Sequence, residues 1–298
     1  MSREERSSAP ANADGEFAFT PRDFRTIADI LSEEAGIALA DAKAPLVYAR
    51  LVKRLRSLGM RSFREYCALV GAQAGAEERN QMIAALTTNV TRFFREPHHF
   101  EHLRQAVLPD MLQHARKGGR ARIWSAGCST GEEPYSIALT ILSLMPDAPQ
   151  YDIKILATDI DPDVLKVARN GAYSQPAIAP IDEAIRNQFL FPDRRTEERN
   201  WVVNKDVRAL VSFRELNLIA EWPMKGRFQA IFCRNVVIYF EEHTRETIWR
   251  QMGGMLSPGG HLYVGHSERI ASPRTQFSVT GQTIYQMPHA DLEAKGRV

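Results

Sequence analysis

Apolar residues recur at helical spacing in the first third of the chain. Phe24, Ile27 and Leu31 lie three or four positions apart, a spacing that places their side chains on one face of a helix. The same period predicts further helices that begin near residues 44, 62 and 77. We therefore expect an all-helical domain over residues 17–90, followed by a linker helix within residues 91–119.

Capping residues mark the first of these helices. Thr20 precedes Pro21, and Asp23 stands three positions after Thr20, which is the pattern of a capping box with proline in the first turn. Gly36 is expected to end the helix, since glycine adopts the left-handed conformation that follows many helices. Capping residues therefore predict a helix that begins at Pro21 and ends just before Gly36.

From residue 120 the period changes to an alternation of short apolar strands and helices. Strands are predicted at about 122–126, 151–157, 201–204, 210–216, 228–237, 261–265, 277–280 and 283–287. Helices are predicted at about 132–145, 161–169, 181–190 and 243–256. Alternation of this kind predicts an α/β fold with a doubly wound sheet, and the last two strands predict a terminal hairpin across Gly281 and Gln282.

The amino-acid composition is that of an ordinary globular protein. The chain of 298 residues is 44% hydrophobic and 25% charged, which suffices for a core without disulfides. The three cysteines are scattered and suit a reducing cytosol. No apolar run approaches the roughly 20 residues of a membrane span, so we expect a cytoplasmic protein. Residues 1–16 are predicted to be a disordered leader, and residues 288–298 a similar tail.

Charge is concentrated on the second predicted helix. Seven basic residues and no acidic one lie between Lys43 and Arg64. Leu51, Leu55 and Leu58 are expected to form the inner face of the helix, which leaves several cations exposed. The candidates for docking an acidic partner are Arg50, Lys53, Arg54 and Arg56. A solvated basic face without a partner is the alternative.

A glycine-containing loop follows the first strand of the α/β half. Gly127 and Gly131 allow a ligand to approach the backbone closely, and ligands bind at the carboxyl ends of such strands. The loop lacks the dinucleotide pattern, and Glu132 and Glu133 would repel a pyrophosphate. These residues favour a phosphate-free cofactor such as S-adenosylmethionine. The alternative is a plain glycine turn whose acidic residues complement the helix dipole.

Polar residues at the ends of later strands extend this candidate site. Asp159 follows the second strand and is positioned to bind ribose hydroxyls, although helix capping is the alternative and explains Asp161. Arg234 and Asn235 interrupt an apolar strand, and buried polar groups need partners; the alternative is a strand end that turns to solvent. Tyr239 could point its hydroxyl into the same cleft.

Two further groups of residues carry weaker signals. Asn89, Thr91 and Arg95 offer hydrogen-bonding groups near the boundary of the two domains, although a helix terminus with a capping asparagine explains them as well. His98 and His99 are adjacent and do not share a helical face. We therefore expect no metal site.

Five separated segments resemble the CheR-type chemotaxis receptor methyltransferases. They are 85–96 (ALTTNVTRFFRE), 124–135 (WSAGCSTGEEPY), 157–161 (ATDID), 232–240 (FCRNVVIYF) and 265–268 (GHSE). The resemblance covers about residues 17–287. It implies a helical N-terminal domain and a class I methyltransferase domain over 120–287, which contains a small inserted β subdomain near 173–210.

The resemblance also implies a reaction and a set of ligands. Glutamate side chains on the cytoplasmic helical domain of chemotaxis receptors would be methylated, and S-adenosylhomocysteine would be the product. Residues that match the family's cofactor contacts are Asn89, Thr91, Arg95, Glu133, Asp159, Asn217, Leu218, Arg234 and Asn235. A monomer that reaches membrane receptors through protein contacts is expected, with no nucleic acid bound.

A carboxylate needs no general base, because it is already ionised near pH 7. The catalytic task is therefore alignment of the acceptor oxygen and exclusion of water, for which Arg95 and Tyr239 are the candidates. Two alternatives remain. A nucleic-acid methyltransferase usually carries an Asn/Asp-Pro-Pro-aromatic segment where this chain has Arg-Asn-Val-Val. A non-catalytic module that binds the cofactor and docks receptors is the second.

Overall fold

The computed structural model describes residues 16–194, 200–270 and 277–289. The chain divides into two compact units. One comprises Met1–Thr88 and Tyr239–Glu241, and the other comprises Asn89–Ile238 and Glu242–Val298. Except for Glu16, Pro288 and His289, the predicted leader and tail lie outside the described residues.

Four helices form the N-terminal unit, namely α1 (Pro21–Ala35), α2 (Ala44–Ser57), α3 (Phe63–Gly71) and α4 (Ala76–Leu86). The predicted capping box of α1 is confirmed, because the Thr20 hydroxyl accepts the Asp23 N–H at 3.2 Å and the Asp23 carboxylate accepts the Thr20 N–H at 2.9 Å. Gly36 ends α1 with a φ of 71°. Leu51 and Leu55 are buried, but Leu58 is 41% exposed because α2 ends at Ser57.

The predicted linker helix is interrupted. It comprises α5 (Pro97–His102), a π-helical turn over Leu103–Val107 and α6 (Leu108–Arg116). Pro109 has no N–H to donate to the carbonyl of Gln105, and its ring would clash with that carbonyl in a regular α-helix. The wider π-helical turn relieves this conflict.

Seven strands form the main sheet in the order β6-β2-β1-β7-β8-β10-β9. Their bounds are β1 Ala121–Ala126, β2 Ile153–Asp159, β6 Val211–Glu215, β7 Phe228–Cys233, β8 Leu256–Val264, β9 Ser278–Gly281 and β10 Ile284–Gln286. Neighbouring strands from β6 to β8 are parallel, and β10 is antiparallel to both β8 and β9. The predicted doubly wound sheet and terminal hairpin are confirmed.

Helices follow the strands of the main sheet as the alternation predicts. They are α7 (Glu132–Leu144), α8 (Pro162–Asn170) and α12 (Glu242–Met255). The core of this unit lies between the sheet and α7, whose apolar side chains from Tyr135 to Leu142 are buried together with Ile123, Ile155 and Phe232. This packing leaves the carboxyl ends of the strands to the loops.

A second, antiparallel sheet in the order β3-β5-β4 lies in the predicted insertion. Its strands are β3 (Ala172–Ser174), β4 (Leu190–Pro192) and β5 (Asn200–Val203), with helices α9 (Gln175–Ile178), α10 (Glu183–Phe189) and α11 (Lys205–Leu210) around them. Helix α11 was not predicted. Asn204 begins it, since its side-chain oxygen accepts the Val207 N–H at 2.9 Å.

Two predicted strand ends are wrong. β7 stops at Cys233 rather than Val237, because the N–H groups of Asn235, Val236 and Val237 are bound by a side chain and not by a neighbouring strand. β8 begins at Leu256 rather than His261, and its pairing with β7 shifts register between Phe228 and Ala230. Residues 257–260, which separate the predicted helix from the predicted strand, therefore lie within β8 at this irregularity. No helix among the described residues is long and apolar enough to cross a membrane.

Candidate functional site

Four of the predicted site segments lie at one edge of the main sheet. The loop at Gly127 follows β1, Asp159 ends β2, Asn217 follows β6, and Arg234 follows β7. These strands are neighbours in the sheet and are parallel. Their carboxyl ends therefore meet at the edge where ligands bind in open α/β sheets. All the predicted cofactor-binding residues belong to the C-terminal unit.

The loop after β1 is closely packed against its neighbours. Gly127 has a φ of 76°, and a Cβ at this position would lie 2.2 Å from a methyl carbon of Val236. The N–H groups of Gly127 and Cys128 both donate to the Thr158 carbonyl, at 2.8 and 2.9 Å. A larger residue at position 127 would therefore displace either the chain after β7 or the end of β2.

Asp159 and Asp161 have different roles. Asp161 caps α8, since its carboxylate accepts the Asp163 N–H at 2.8 Å, as the alternative interpretation predicted. Asp159 is buried and does not cap a helix. One of its oxygens accepts the Ser129 N–H at 2.8 Å and the other accepts the Asp161 N–H at 3.0 Å. Burial raises the pKa of Asp159, and the two N–H donors oppose this rise.

The segment that begins at Asn89 is tied to this loop. The Asn89 amide donates to the Asp161 carboxylate at 2.8 Å, and the Ser129 hydroxyl donates to the Asn89 carbonyl at 2.8 Å. Because α4 ends at Leu86, Asn89 is not its capping residue. Thr91 and Arg95 are half-buried. The Arg95 guanidinium donates to the Val90 carbonyl at 3.0 Å.

Arg234 and Glu133 form a buried ion pair. The Arg234 guanidinium lies 3.0 Å from a Glu133 carboxylate oxygen, and the other Glu133 oxygen accepts the Ser125 hydroxyl at 2.7 Å. Glu96 also lies 3.5 Å from the guanidinium. Burial raises the pKa of Glu133, and the charge of Arg234 opposes that rise. Arg234 is buried and bound, so the alternative of a strand end that turns to solvent is wrong for this residue.

Asn235, Asn217 and Leu218 complete the predicted cofactor set. Asn235 is half-buried and adopts a φ of 60°. The Asn217 side-chain oxygen accepts the Ile219 N–H at 3.1 Å, and Leu218 is buried. Tyr239 belongs to the N-terminal unit, where it is half-buried and its carbonyl accepts the Ala38 N–H at 2.9 Å. A role for Tyr239 in the site stays a prediction.

Two acidic residues at this site were not predicted individually. Glu96 has a φ of 57° and lies beside Arg234. Glu268 is 3% exposed, and its carboxylate accepts the N–H groups of Asn235, Val236 and Val237. Glu268 lies within the segment GHSE, whose resemblance to the family was the only signal in the sequence.

Glu96 also changes the assessment of the paired histidines. Possible ligand atoms of Glu96, His98 and His99 lie within 4.8 Å of one another, although the two histidines are adjacent in the sequence. The Arg234 guanidinium lies 3.5 Å from a Glu96 carboxylate oxygen, and its charge disfavours a metal ion there. Absence of a metal stays a prediction.

The basic residues of α2 do not form one exposed surface. Arg50 donates to the carbonyls of Leu86 and Thr87 at 2.8 and 2.7 Å, which satisfies the carboxyl end of α4. Both nitrogens of the Arg54 fork contact the Glu78 carboxylate. Lys53 and Arg56 are exposed, and Arg56 pairs with Glu16. Of the four candidate docking cations, of which several were expected to be exposed, the structure leaves Lys53 and Arg56 exposed and binds Arg50 and Arg54 within the helical unit.

Comparison with known proteins places these features in a family. The model described as "CheR methyltransferase, SAM binding domain" matches residues 89–286, and "CheR methyltransferase, all-alpha domain" matches residues 22–87. A probable chemotaxis protein methyltransferase of Rhizobium etli is 54% identical over 89% of this chain and 100% of its own length. The chemotaxis protein methyltransferase of Salmonella typhimurium is 40% identical over 91% of each chain.

Proposed function

Since the chain belongs to the CheR methyltransferase family, we propose that it transfers a methyl group from S-adenosylmethionine to glutamate carboxylates of chemotaxis receptors. The product would be a glutamate methyl ester. The observation that carries this proposal is the grouping of Asp159, the Gly127 loop and the Arg234–Glu133 pair at one edge of the sheet. The two relatives described above are themselves named chemotaxis protein methyltransferases.

The chemistry of the site fits S-adenosylmethionine. Asp159 presents a carboxylate at the end of β2, and each of its oxygens keeps a lone pair beyond the backbone donor it already binds. A ribose offers hydroxyl donors to such a group. The carboxylates of Glu133, Glu96 and Asp159 outnumber the cations of Arg234 and Arg95, so the site suits a cofactor with cationic groups and no phosphate. When bound, the cofactor supplies the methyl group.

Different residues of this chain would bind the cofactor and orient the acceptor glutamate. We assign cofactor binding to the residues that match the family contacts: Asn89, Thr91, Arg95, Glu133, Asp159, Asn217, Leu218, Arg234 and Asn235. Glu133 and Arg234 bind each other, so we expect their backbone or remaining polar atoms to make these contacts. Arg95 and Tyr239 would orient the acceptor glutamate, since an arginine can hold a carboxylate through two hydrogen bonds.

The receptor would dock through the exposed cations of the N-terminal unit. Lys53 and Arg56 are exposed on α2, and receptor helices rich in glutamate would be attracted to them. Arg50 and Arg54 would contribute indirectly, because they hold α2 against the end of α4 and against Glu78.

A methyl-transfer assay tests the proposal. S-adenosylmethionine with a labelled methyl group is incubated with the protein and with cytoplasmic receptor fragments. Base then hydrolyses any glutamate methyl ester, and the labelled methanol that it releases is measured. Transfer RNA and DNA serve as competing acceptors in parallel reactions. Label on nucleic acid and not on receptor would favour a nucleic-acid methyltransferase. Cofactor binding with no transfer to any acceptor would favour a non-catalytic docking module.

A further inference from the structure

Glu268 is a buried carboxylate that the proposed reaction does not use. One of its oxygens accepts the N–H groups of Gly265 and Asn235 at 2.6 and 2.8 Å, and the other accepts those of Val236 and Val237 at 2.9 Å each. Gly265 follows β8, and the other three residues follow β7. A single carboxylate therefore joins the carboxyl ends of two neighbouring parallel strands.

The segment bound by Glu268 has an unfavourable backbone conformation. Asn235 adopts a φ of 60°, a left-handed conformation that costs energy in residues other than glycine, although asparagine tolerates it better than most. Its side chain lies against Gly265, where an added Cβ would be 2.5 Å from the Asn235 amide nitrogen. Three consecutive N–H groups point to one carboxylate, a direction that a regular strand would not give them and that is typical of an anion-binding nest of backbone N–H groups.

We propose that Glu268 is a positioning residue that holds the segment from Arg234 to Val237 in the shape that binds the cofactor. The inference rests on the proposed function, in which Arg234 and Asn235 contact S-adenosylmethionine. All four partners of Glu268 are donors, so the ionised carboxylate fits them and a protonated one does not. Charge-assisted bonds of this kind are roughly twice as strong as neutral ones.

Glu268→Gln tests this role with little change of shape. The amide nitrogen cannot accept, so two of the four N–H groups lose their acceptor. We expect the dissociation constant for S-adenosylmethionine, measured by calorimetry, to rise at least tenfold, or about 1.4 kcal/mol. Glu268→Asp keeps the charge but is shorter by one methylene, and it should recover part of the affinity that Glu268→Gln loses.

Asp23→Asn is the matched control. Asp23 is another nearly buried carboxylate that accepts a backbone N–H, but it lies in α1 of the N-terminal unit. Its substitution should leave the cofactor dissociation constant unchanged. All titrations are run well below the melting temperature of each variant, so that a loss of global stability does not lower the apparent affinity.

The outcomes separate positioning from simple stabilisation. Weaker cofactor binding in folded Glu268→Gln, with partial recovery in Glu268→Asp, supports the proposal. Unchanged binding in folded Glu268→Gln overturns it. If both variants fail to fold, Glu268 serves the fold as a whole and the positioning role is overturned as well. The titration contains no receptor, so a failure of receptor methylation would count against the proposed function and leave this result intact.

Discussion

Replacement of Arg234 by methionine tests the buried ion pair at the candidate site. The side chain of Arg234 is 2% exposed and that of Glu133 is 11% exposed, with 3.0 Å between the charged atoms. Methionine matches the aliphatic stem of arginine but has no guanidinium, so it loses the contact of that group with the Phe100 ring and leaves Glu133 buried without a cation. Breaking a buried pair by removing one partner costs about 3 to 5 kcal/mol.

Urea unfolding measures this cost. Arg234→Met should lower the unfolding midpoint with little change in the slope. The double variant Arg234→Met with Glu133→Gln removes both charges, and we expect it to recover about 1 kcal/mol or more of the lost stability, since coupled neighbours are not additive. Ser125 still donates to position 133 in the double variant, which keeps that part of the site bonded.

The pH dependence of Arg234→Met supplies a second signature. Burial raises the pKa of Glu133 and the charge of Arg234 opposes the rise, so removal of Arg234 should raise this pKa further. A carboxyl whose pKa is higher in the folded state than in the unfolded state takes up protons on folding. The stability deficit of Arg234→Met should therefore be fully present above the raised folded pKa of Glu133 and shrink as the pH falls through that pKa toward its lower, unfolded value. A deficit under about 1 kcal/mol that does not vary with pH would refute the buried pair.

Three further substitutions address cofactor, chemistry and receptor. Asp159→Ala should weaken S-adenosylmethionine by about 2 to 3 kcal/mol through lost charge-assisted bonds; unchanged calorimetric affinity in the folded variant would remove Asp159 from the site. Tyr239→Phe should lower the turnover number and spare cofactor affinity, and wild-type turnover would leave Tyr239 with a packing role only. The double variant Lys53→Glu with Arg56→Glu should raise the receptor KM several-fold at low salt, and added salt should reduce this effect because it screens exposed charges. An unchanged KM at low salt would contradict docking by α2.

Strong periodicity and capping chemistry made the long elements predictable. Helix α1 begins and ends where Thr20 and Gly36 indicate, because both signals act within a few residues of the helix end. Short elements such as β3 and α11 were missed, because three to six residues carry too little periodicity to be recognised. The end of β7 was misplaced for a different reason: Val236 and Val237 continue an apolar run, and their N–H groups are bound by Glu268, about thirty positions away.

Polar residues of the candidate site could be located from the sequence, but the bonds between them could not. Asp159 was selected from its position after a strand, and its role stays a prediction, whereas Glu133 and Arg234 were each assigned to the cofactor and the structure shows that they bind each other. The two residues are far apart in the sequence, and only the pairing of β1 with β7 brings their strand ends together. The sequence pattern therefore identifies buried polar residues that need a partner. Which residue becomes that partner depends on how the strands pair in the sheet.

The partners of the basic residues on α2 were likewise not predictable from the sequence. A run of cations on a helix indicates a local positive field, yet each cation can be neutralised by a residue distant in sequence. Arg54 meets Glu78, and Arg50 meets the carbonyls at the end of α4, so reversing either charge would disturb the helical unit itself. Loss of receptor methylation in such variants would then report on folding. Only Lys53 and Arg56 allow docking to be tested separately from the stability of this unit.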